Sequence, residues 1–474
     1  MTNPAENSKM EEIISLAKRR GFVFQGSEIY GGLAGTWDYG PLGLALKNNI
    51  KNLWWKRFVD DREDMYGVDA AILMNQKVWQ ATGHVGGFAD PVVECSSCKS
   101  KLRADHLLEN FYKENPTIVH EAISADPSKL QGDIDSFGKE ISCSKCGKKG
   151  SFSKIRQFNM MFETHVGAIQ DESSISYLRP ETAQGMFVNY KNIIDSFHPK
   201  LPFGMAQIGK AFRNEIAPRD FTFRAREFEQ MEIEYLIKPP KGEEWKPLFE
   251  QFKDEMIAFS KDIGLDEKHI HPIEIAEADR AFYSKRTIDI EFDFPFGQKE
   301  LYGLAYRTDY DLKKQGEFSG VPLDYYDEET KEKFIPHCIE PSFGLDRTVL
   351  AVLSDAYTVD EMGGEKRTYL KFNSKVAPIK IAVFPLLRNK PELVKKAREI
   401  YQTLKKEFGA VEFDDNGNIG KRYRRQDEIG TPFCLTVDFE TIEENKGVTI
   451  RDRDSGKQER VAEGDLVAYI KRQL

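Results

Sequence analysis

No apolar run in this chain approaches the roughly 20 residues that cross a bilayer, and its first eight residues are polar, without the apolar segment of a secretory leader. The expectation is a cytoplasmic protein. Positive charge is not in excess: 68 Lys and Arg stand against 77 Asp and Glu, a formal net charge of −9. A polyanionic partner therefore has to be met by a local basic patch and not by the overall field. Cysteine is scarce, six in 474 residues, and four of the six fall in two CxxC pairs, which points to metal binding and away from disulfides. No internal repeat of fixed period is visible. What is present is ordinary: 40% hydrophobic and 31% charged residues exclude a disordered or membrane class, and the length suggests about three domains of roughly 100–200 residues each.

The patterning predicts a short amphipathic helix over 11–20, a glycine-rich loop over 31–43, and a helix over 41–59. In that helix Pro41 sits at the first turn and Leu42, Leu46, Ile50, Leu53 and Phe58 recur at helical spacing. Trp54 and Trp55 exceed what one apolar face needs, so part of this aromatic surface could be covered by another domain or subunit, although ordinary core packing is the favoured reading for each tryptophan alone. Residues 91–157 shift to Ser, Lys, Asp and Gly and read as an insertion. Strand-like runs then return at 205–208, 228–237, 288–294 and 301–306, with helices near 246–263 and 343–354. This is an α+β pattern with an antiparallel sheet. After a polar linker at 373–378, a strand at 379–385, a helix at 391–408 and a strand at 432–437 give a separate C-terminal α/β domain with some parallel pairing. The divisions are 1–90, 91–157, 158–372 and 378–474.

Cys95 with Cys98, and Cys143 with Cys146, have the spacing of two zinc knuckles, each supplying two thiolates to a tetrahedral site. The stretch between the pairs is longer than the usual 15–20 or so residues, so an extra subdomain joins them. Four thiolates leave no open position, which makes the zinc structural. Four free surface thiols are the alternative.

The densest chemistry is at 212–234. Phe212-Arg-Asn-Glu215, a polar loop with Pro218-Arg-Asp220, and Phe223-Arg-Ala-Arg-Glu-Phe-Glu-Gln-Met-Glu-Ile-Glu234 form an antiparallel hairpin. Alternation on a strand predicts that Arg224, Arg226, Phe228, Gln230, Glu232 and Glu234 share one face. Such a face offers arginines to a triphosphate, a ring to a purine and a carboxylate to an ammonium; a solvated charged strand is the alternative. Glu340-Pro-Ser-Phe-Gly-Leu-Asp-Arg347 leads a strand into a helix, with a glycine that permits close approach and an arginine in the first turns. Arg179-Pro-Glu-Thr-Ala-Gln-Gly185 and the segment 300–311 add carboxylates.

Together these segments resemble the three signature motifs of class II aminoacyl-tRNA synthetases, and within them the dimeric glycyl-tRNA synthetases. The region 31–58 resembles motif 1, the Arg213 and Arg226 hairpin motif 2, and 340–347 motif 3; the likeness runs essentially the whole length. The resemblance implies that glycine is activated with ATP to glycyl-adenylate and then transferred to the 3′ end of tRNA(Gly). It implies a homodimer and an anticodon-binding C-terminal domain. Arg213, Arg224 and Arg347 are then the catalytic cations. ATP is contacted by Arg213, Asn214 and Glu215, by Phe223, Arg224, Ala225, Arg226, Glu227 and Phe228, by Glu300 and Leu301, and by Gly344, Leu345, Asp346 and Arg347. Phe228 stacks on adenine with Arg347 against the other face, and Glu300 is a Mg²⁺ ligand. Glycine is contacted by Arg103 and Glu181, by Phe228, Glu229, Gln230, Met231 and Glu232, and by Glu340, Pro341, Ser342, Phe343 and Gly344. Glu181, Glu232 and Glu340 surround its ammonium, with raised pKa values expected from their mutual repulsion.

For tRNA, Lys421, Arg422, Arg424 and Arg425 bracket Tyr423, and Arg451 and Arg453 are read as sharing one strand face toward phosphates and bases. Two other classes fit parts of the pattern. One is a binding-only relative such as a polymerase accessory subunit, which tends to lose the phosphate arginines. The other is a synthetase for another amino acid, such as proline or threonine, which lacks the glutamate trio. Tyr302 and Tyr306 stand where the family has smaller or more polar residues, and their size is expected to alter the pocket wall.

Overall fold

The structure, a computed structural model, describes residues 4–118, 127–281 and 283–474. Part of the polar opening (1–3) and the middle of the insertion (119–126) lie outside the described residues.

Helix α1 (Pro4–Arg19) starts earlier than the 11–20 stretch. The glycine-rich stretch is not all loop: Trp37–Tyr39 pairs antiparallel with Val23–Gln25. Helix α2 (Pro41–Trp55) begins at Pro41 and continues as a π-helical turn, Lys56–Asp60, so the predicted 41–59 run is helical but widens after Trp55. Gly43 lets α2 lie against the chain just before Val23, since a Cβ there would fall 1.9 Å from the Phe22 carbonyl oxygen. Trp54 is fully buried, and Trp55 packs over Gly67, so both tryptophans are largely covered by the chain's own core.

The central sheet has seven strands: β1 (Met65–Gly67), β2 (Phe203–Phe212), β3 (Glu227–Ile237), β4 (Ile270–Glu274), β5 (Arg286–Phe294), β6 (Gly297–Thr308) and β7 (His337–Gly344). Their order is β4-β5-β6-β7-β3-β2-β1, antiparallel throughout except for the parallel β1–β2 pair at one edge. The main core packs one face of this sheet against α2, α5 (Lys246–Asp262) and α7 (Leu345–Ala356). Tyr302 and Tyr306 belong to that core: Tyr302 lies 4.6 Å from Phe343, and Tyr306 stacks on Trp245 at 4.2 Å. They form no wall of the pocket on the other face, which corrects the expectation made for them. Helices α4 (Ala183–Phe197) and α6 (Tyr310–Ser319) pack with a smaller apolar cluster that includes Phe203 and Met205 of β2.

Ala89–Glu94 pairs with Lys101–Arg103 and with Arg156–Asn159 in a separate three-stranded sheet, and the residues between them have their own core around α3 (Ala104–Glu114). After α7, a hairpin (Tyr357–Met362 with Glu365–Leu370) leads to the C-terminal sheet. That sheet contains β8 (Ile381–Pro385), β9 (Val411–Phe413), β10 (Phe433–Val437), β11 (Val448–Asp452) and β12 (Gln458–Val461) in the order β9-β8-β10-β11-β12. The β8 pairs are parallel and the others antiparallel, as βαβ order requires, with α8 (Pro391–Phe408) and α9 (Ile419–Ile429) as crossovers.

Candidate active site

A cavity of about 340 Å³ opens on the sheet face away from the main core, with β3, β6 and β7 as its floor. The β2–β3 hairpin pairs Phe203 with Leu236 through to Phe212 with Glu227. Alternation then sends Met231, Ile233 and Tyr235 into the core and turns Phe228, Gln230, Glu232 and Glu234 to the opposite face. The shared face predicted for Arg224 and Arg226 does not extend that far, because β3 starts only at Glu227. Arg226 leaves the cavity and donates to the Glu215 and Ala34 carbonyls at 3.1 and 2.8 Å, bracing the glycine-rich segment. Arg224 does line it, 3.9 Å from Glu215.

The cations converge at the outer end. Arg213 donates to the Pro180 carbonyl at 3.1 Å, and its guanidinium lies between the rings of Phe88 and Phe228, at 5.4 and 5.3 Å. Arg347, in the first turn of α7, lies 4.4 Å from the Phe223 ring and 3.0 Å from Glu300, which holds the Glu300 carboxyl below its ordinary pKa. Asp346 faces inward to other work: it accepts from Tyr39, from Lys47 at 3.0 Å and from the Glu229 backbone N–H at 2.6 Å. Helix α2 is thereby tied to the starts of both β3 and α7.

The inner end is acidic. Glu232 accepts from Thr182 Oγ1, and from Ser342 Oγ at 2.8 Å. Arg307, 1% exposed, donates to Glu340 at 2.6 Å and to Asp311 at 2.7 and 2.8 Å. Glu181 lies 3.5 Å from His84 and 4.0 Å from Arg307. The raised pKa values expected for the trio hold for two members: burial and the neighbouring carboxylates push Glu340 and Glu232 up. Glu181 departs from the expectation, because His84 and Arg307 outweigh its burial and hold it well below the carboxylate range. Sequence reasoning missed His84, and it gave no role to Thr182, Arg307 or Asp311, although the segments 179–185 and 300–311 that it singled out contain all three.

The cavity is thus lined by Glu181, Arg213, Glu215, Phe223, Arg224 and Ala225, by Phe228, Glu229, Gln230 and Glu232, by Glu300, Leu301, Glu340 and Ser342, and by Gly344, Asp346 and Arg347. Other expected residues lie elsewhere. Met231, Phe343 and Leu345 are in the core, Pro341 is buried in β7, Glu227 pairs with Lys210, and Asn214 donates its backbone N–H to Met160. Arg103 is ion-paired with Asp90 and Asp105 and lines an adjoining cavity that shares Glu215 and Arg224 with the first.

The four cysteines do meet. Cys95 and Cys146 sulfurs are 3.8 Å apart, as are those of Cys98 and Cys143, and all four lie within 4.8 Å of one another. Zinc–sulfur bonds of about 2.3 Å arranged tetrahedrally require sulfurs about 3.8 Å apart, so the donor set fits.

The C-terminal cations are placed less freely than expected. Lys421 is exposed, Arg424 pairs with Glu365 at 3.0 Å and Arg425 with Asp414. Arg422 is buried, its guanidinium shared among the carbonyls of Pro385, Asp415, Asn416 and Gly417, so it is spent on the loop before α9 and forms no surface. Arg451 and Arg453 are also buried: Arg451 pairs with Asp427 at 2.8 Å, and Arg453 donates to the Gly430 and Phe372 carbonyls. The phosphate-facing strand expected of these two is therefore corrected to a buried domain junction.

Residues 161–356 match the tRNA synthetase class II core domain (G, H, P, S and T), and residues 380–473 match the anticodon binding domain. The chain is 52% identical over 470 residues to the glycine–tRNA ligase of Clostridium acetobutylicum, covering 99% of each chain. It is 51% identical over 462 residues to that of Clostridium tetani, covering 97% of each, and 50% identical over 467 residues to that of Geobacillus thermodenitrificans, covering 98% of this chain and 97% of the relative. With a class II core, a convergent arginine set and likeness over its whole length, the chain belongs to the glycine–tRNA ligase family.

Proposed function

We propose that this ATP-dependent ligase carries out both of its steps in the cavity over β3, β6 and β7. In the first, a glycine carboxylate oxygen attacks the α-phosphorus of ATP and pyrophosphate leaves. In the second, the terminal ribose hydroxyl of tRNA(Gly) attacks the glycyl carbonyl and AMP leaves. Both transition states carry added negative charge, so fixed cations and positioning supply the acceleration without a protein nucleophile. Arg213 bridges the α-phosphate and the glycine carboxylate, Arg224 and Arg347 hold the outer phosphates, and Phe228 stacks on adenine. A Mg²⁺ bound with ATP neutralises phosphate charge, and the Glu300 carboxylate has the hard oxygen donors to hold it. Glu181, Glu232 and Glu340 take the glycine ammonium. Leaving room for a methyl costs a rival only about 1–3 kcal/mol, so the packed Ser342, Glu232 and Thr182 wall has to exclude alanine sterically.

The convergence of Arg213, Arg224 and Arg347 at one end of a cavity whose other end is carboxylate-lined carries this reading. It also disfavours the binding-only class. The insertion (91–157) holds one structural zinc through Cys95, Cys98, Cys143 and Cys146. Arg103 beside it approaches substrate through the adjoining cavity, while the domain over 378–474 meets tRNA with Lys421, Arg424 and Arg425 outermost. The protein works in the cytoplasm as a homodimer. Supporting the dimer, Ile29 and Tyr30, which precede the motif 1 helix in the chain, are 89% and 88% exposed, an adjacent apolar pair that a second subunit would cover. ATP–pyrophosphate exchange with each amino acid in turn tests the reading. Glycine alone should support it, and Arg213→Ala should abolish it in a folded protein; exchange with alanine at comparable efficiency would refute the assignment.

A further inference from the structure

Behind the proposed ammonium site lies a fourth acid that this mechanism does not use. Glu234 is 0% exposed. The register between β3 and β7, with Glu232 opposite Ser342 and Tyr235 opposite Ile339, puts Glu234 directly across from Glu340. Carboxylate oxygens of Glu232, Glu234 and Glu340 all lie within 4.8 Å of one another. Like charges directly opposite on one sheet face repel, and a dry interior does not sustain a carboxylate that has no cation.

The available cations are committed. Arg307 binds Glu340 and Asp311 and stands near Glu181, and His84 is 3.5 Å from Glu181. Glu234 Oε2 accepts from Cys338 Sγ at 3.0 Å, while Oε1 has no hydrogen-bond partner. An anion with an empty oxygen is costly at this depth. A carboxylic acid whose O–H turns to the facing carboxylate satisfies both groups.

We propose that Glu234 is a neutral carboxylic acid that donates its O–H to the Glu340 carboxylate, a positioning residue that holds Glu340 for the glycine ammonium. The titratable and charged groups that face it are Glu232 on its own strand, Cys338 and Glu340 on β7, and Arg307 on β6, with Glu181, Asp311 and His84 one layer beyond. Burial and Glu340 together push the Glu234 carboxyl well up, in keeping with one proton held between the two acids. Glutamine keeps a donor at this place, whereas leucine fills similar volume and offers none.

The inference rests on the reading of Glu340 as an ammonium contact, and the experiment separates the two. Glycine and ATP KM values are measured by pyrophosphate exchange for wild type, Glu340→Gln, Glu234→Leu and Glu234→Gln. Losing a hydrogen bond to a charged group should raise the glycine KM of Glu234→Leu roughly tenfold or more, with the ATP KM little changed, and Glu234→Gln should recover most of the loss. If Glu340→Gln leaves the glycine KM unchanged, the ammonium reading itself fails. If Glu340→Gln is impaired while Glu234→Leu is not, or if the glutamine variant is as poor as the leucine one, only the role of Glu234 is overturned. Infrared spectra of the free protein decide independently of how well Glu234→Leu folds. The deuterium-sensitive carbonyl stretch of a protonated carboxyl should be weaker in Glu234→Gln than in wild type, and a spectrum that the substitution leaves unchanged overturns the proposal.

Discussion

Arg307 is the single side chain on which the acidic end of the cavity depends. Fully enclosed, it serves Glu340, Asp311 and Glu181 at once, so Arg307→Met would leave three carboxylates without their shared cation. Breaking a buried pair from one side costs roughly 3–5 kcal/mol; the urea midpoint should fall accordingly, and glycine-dependent exchange should be lost with it. A midpoint near wild type would mean that the carboxylates find other partners. The same cluster sets a pH dependence with two opposed signs. Glu181 has a depressed folded pKa, so its favourable contribution is present above the ordinary glutamate value of about 4.3 and is lost as pH falls. Glu232 is raised, as is the Glu234–Glu340 pair that shares one proton, so their protonated forms favour the fold at low pH, and that contribution is lost as pH climbs through the raised values. An arriving ammonium displaces the proton of Glu232, while Glu340 stays ionised between Arg307 and Glu234. At a pH below the raised Glu232 value, glycine binding should therefore release a proton, seen in titration calorimetry as a heat that varies with the ionisation enthalpy of the buffer; a heat that is buffer-independent at every pH would contradict it. At this scale the sequence disclosed the acids and phosphate-type arginines through their motifs. It could not disclose which partner a lone arginine would meet: Arg226 and Arg307 look alike on paper, yet one braces a loop and the other neutralises the pocket.

Among the elements, the β2–β3 hairpin was the most legible, because two strand-like runs around a polar turn fix their own register, and alternation does the rest from Phe228 onward. It failed at Arg224 and Arg226, where the chain had not yet entered the strand. The CxxC knuckles were legible for a similar reason, since each supplies two ligands from one local turn. Their meeting across the intervening 99–142 stretch depended on packing around α3 that no local pattern encodes. The sulfur separations of 3.8 Å lead to a definite expectation: native mass spectrometry should find one zinc per chain. Structural zinc is held by roughly 10–16 kcal/mol in small knuckle peptides, so Cys143→Ser should open 89–159 to proteolysis while the sheet-based core persists. Cleavage at the wild-type rate in a metal-free variant would show that the insertion folds without it. Exchange activity in the cleaved protein would then report how much Arg103 contributes.

For the molecule as a whole, composition shifts and the polar linker suggest parts along the chain, but the way those parts dock could not be read from them, because docking lies in long-range pairs. Self-association is one such property. Sedimentation equilibrium should give twice the 54.4 kDa chain mass, and Tyr30→Asp should move it toward a single chain; a wild-type monomer at working concentration would remove the dimer proposal. The contact between core and C-terminal domain is the other. The hairpin that follows α7 sends Arg367, with no exposed side-chain surface, against Asp427 of α9 at 3.4 Å, and Asp427 also pairs with Arg451 at 2.8 Å. Arg367 further donates to the Arg453 carbonyl, and Arg19 and Arg20 of the N-terminal region reach Glu428 of the same helix. The helix that carries Lys421, Arg424 and Arg425 is thus fixed to the hairpin that follows α7, the helix on which Arg347 stands, and Asp427 is the hub of the joint. Asp427→Ala would leave Arg451 without a carboxylate and weaken Arg367, a loss of roughly 3–5 kcal/mol for a buried pair broken from one side. That penalty is relieved if the two domains part and the arginines reach water. Because the core keeps its own sheet and apolar cluster, glycine-dependent pyrophosphate exchange should survive the substitution, while charging of tRNA(Gly) should drop and the thermal unfolding transition should split in two. An equal fall in exchange and charging, with a single transition, would mean that the joint also supports the catalytic core.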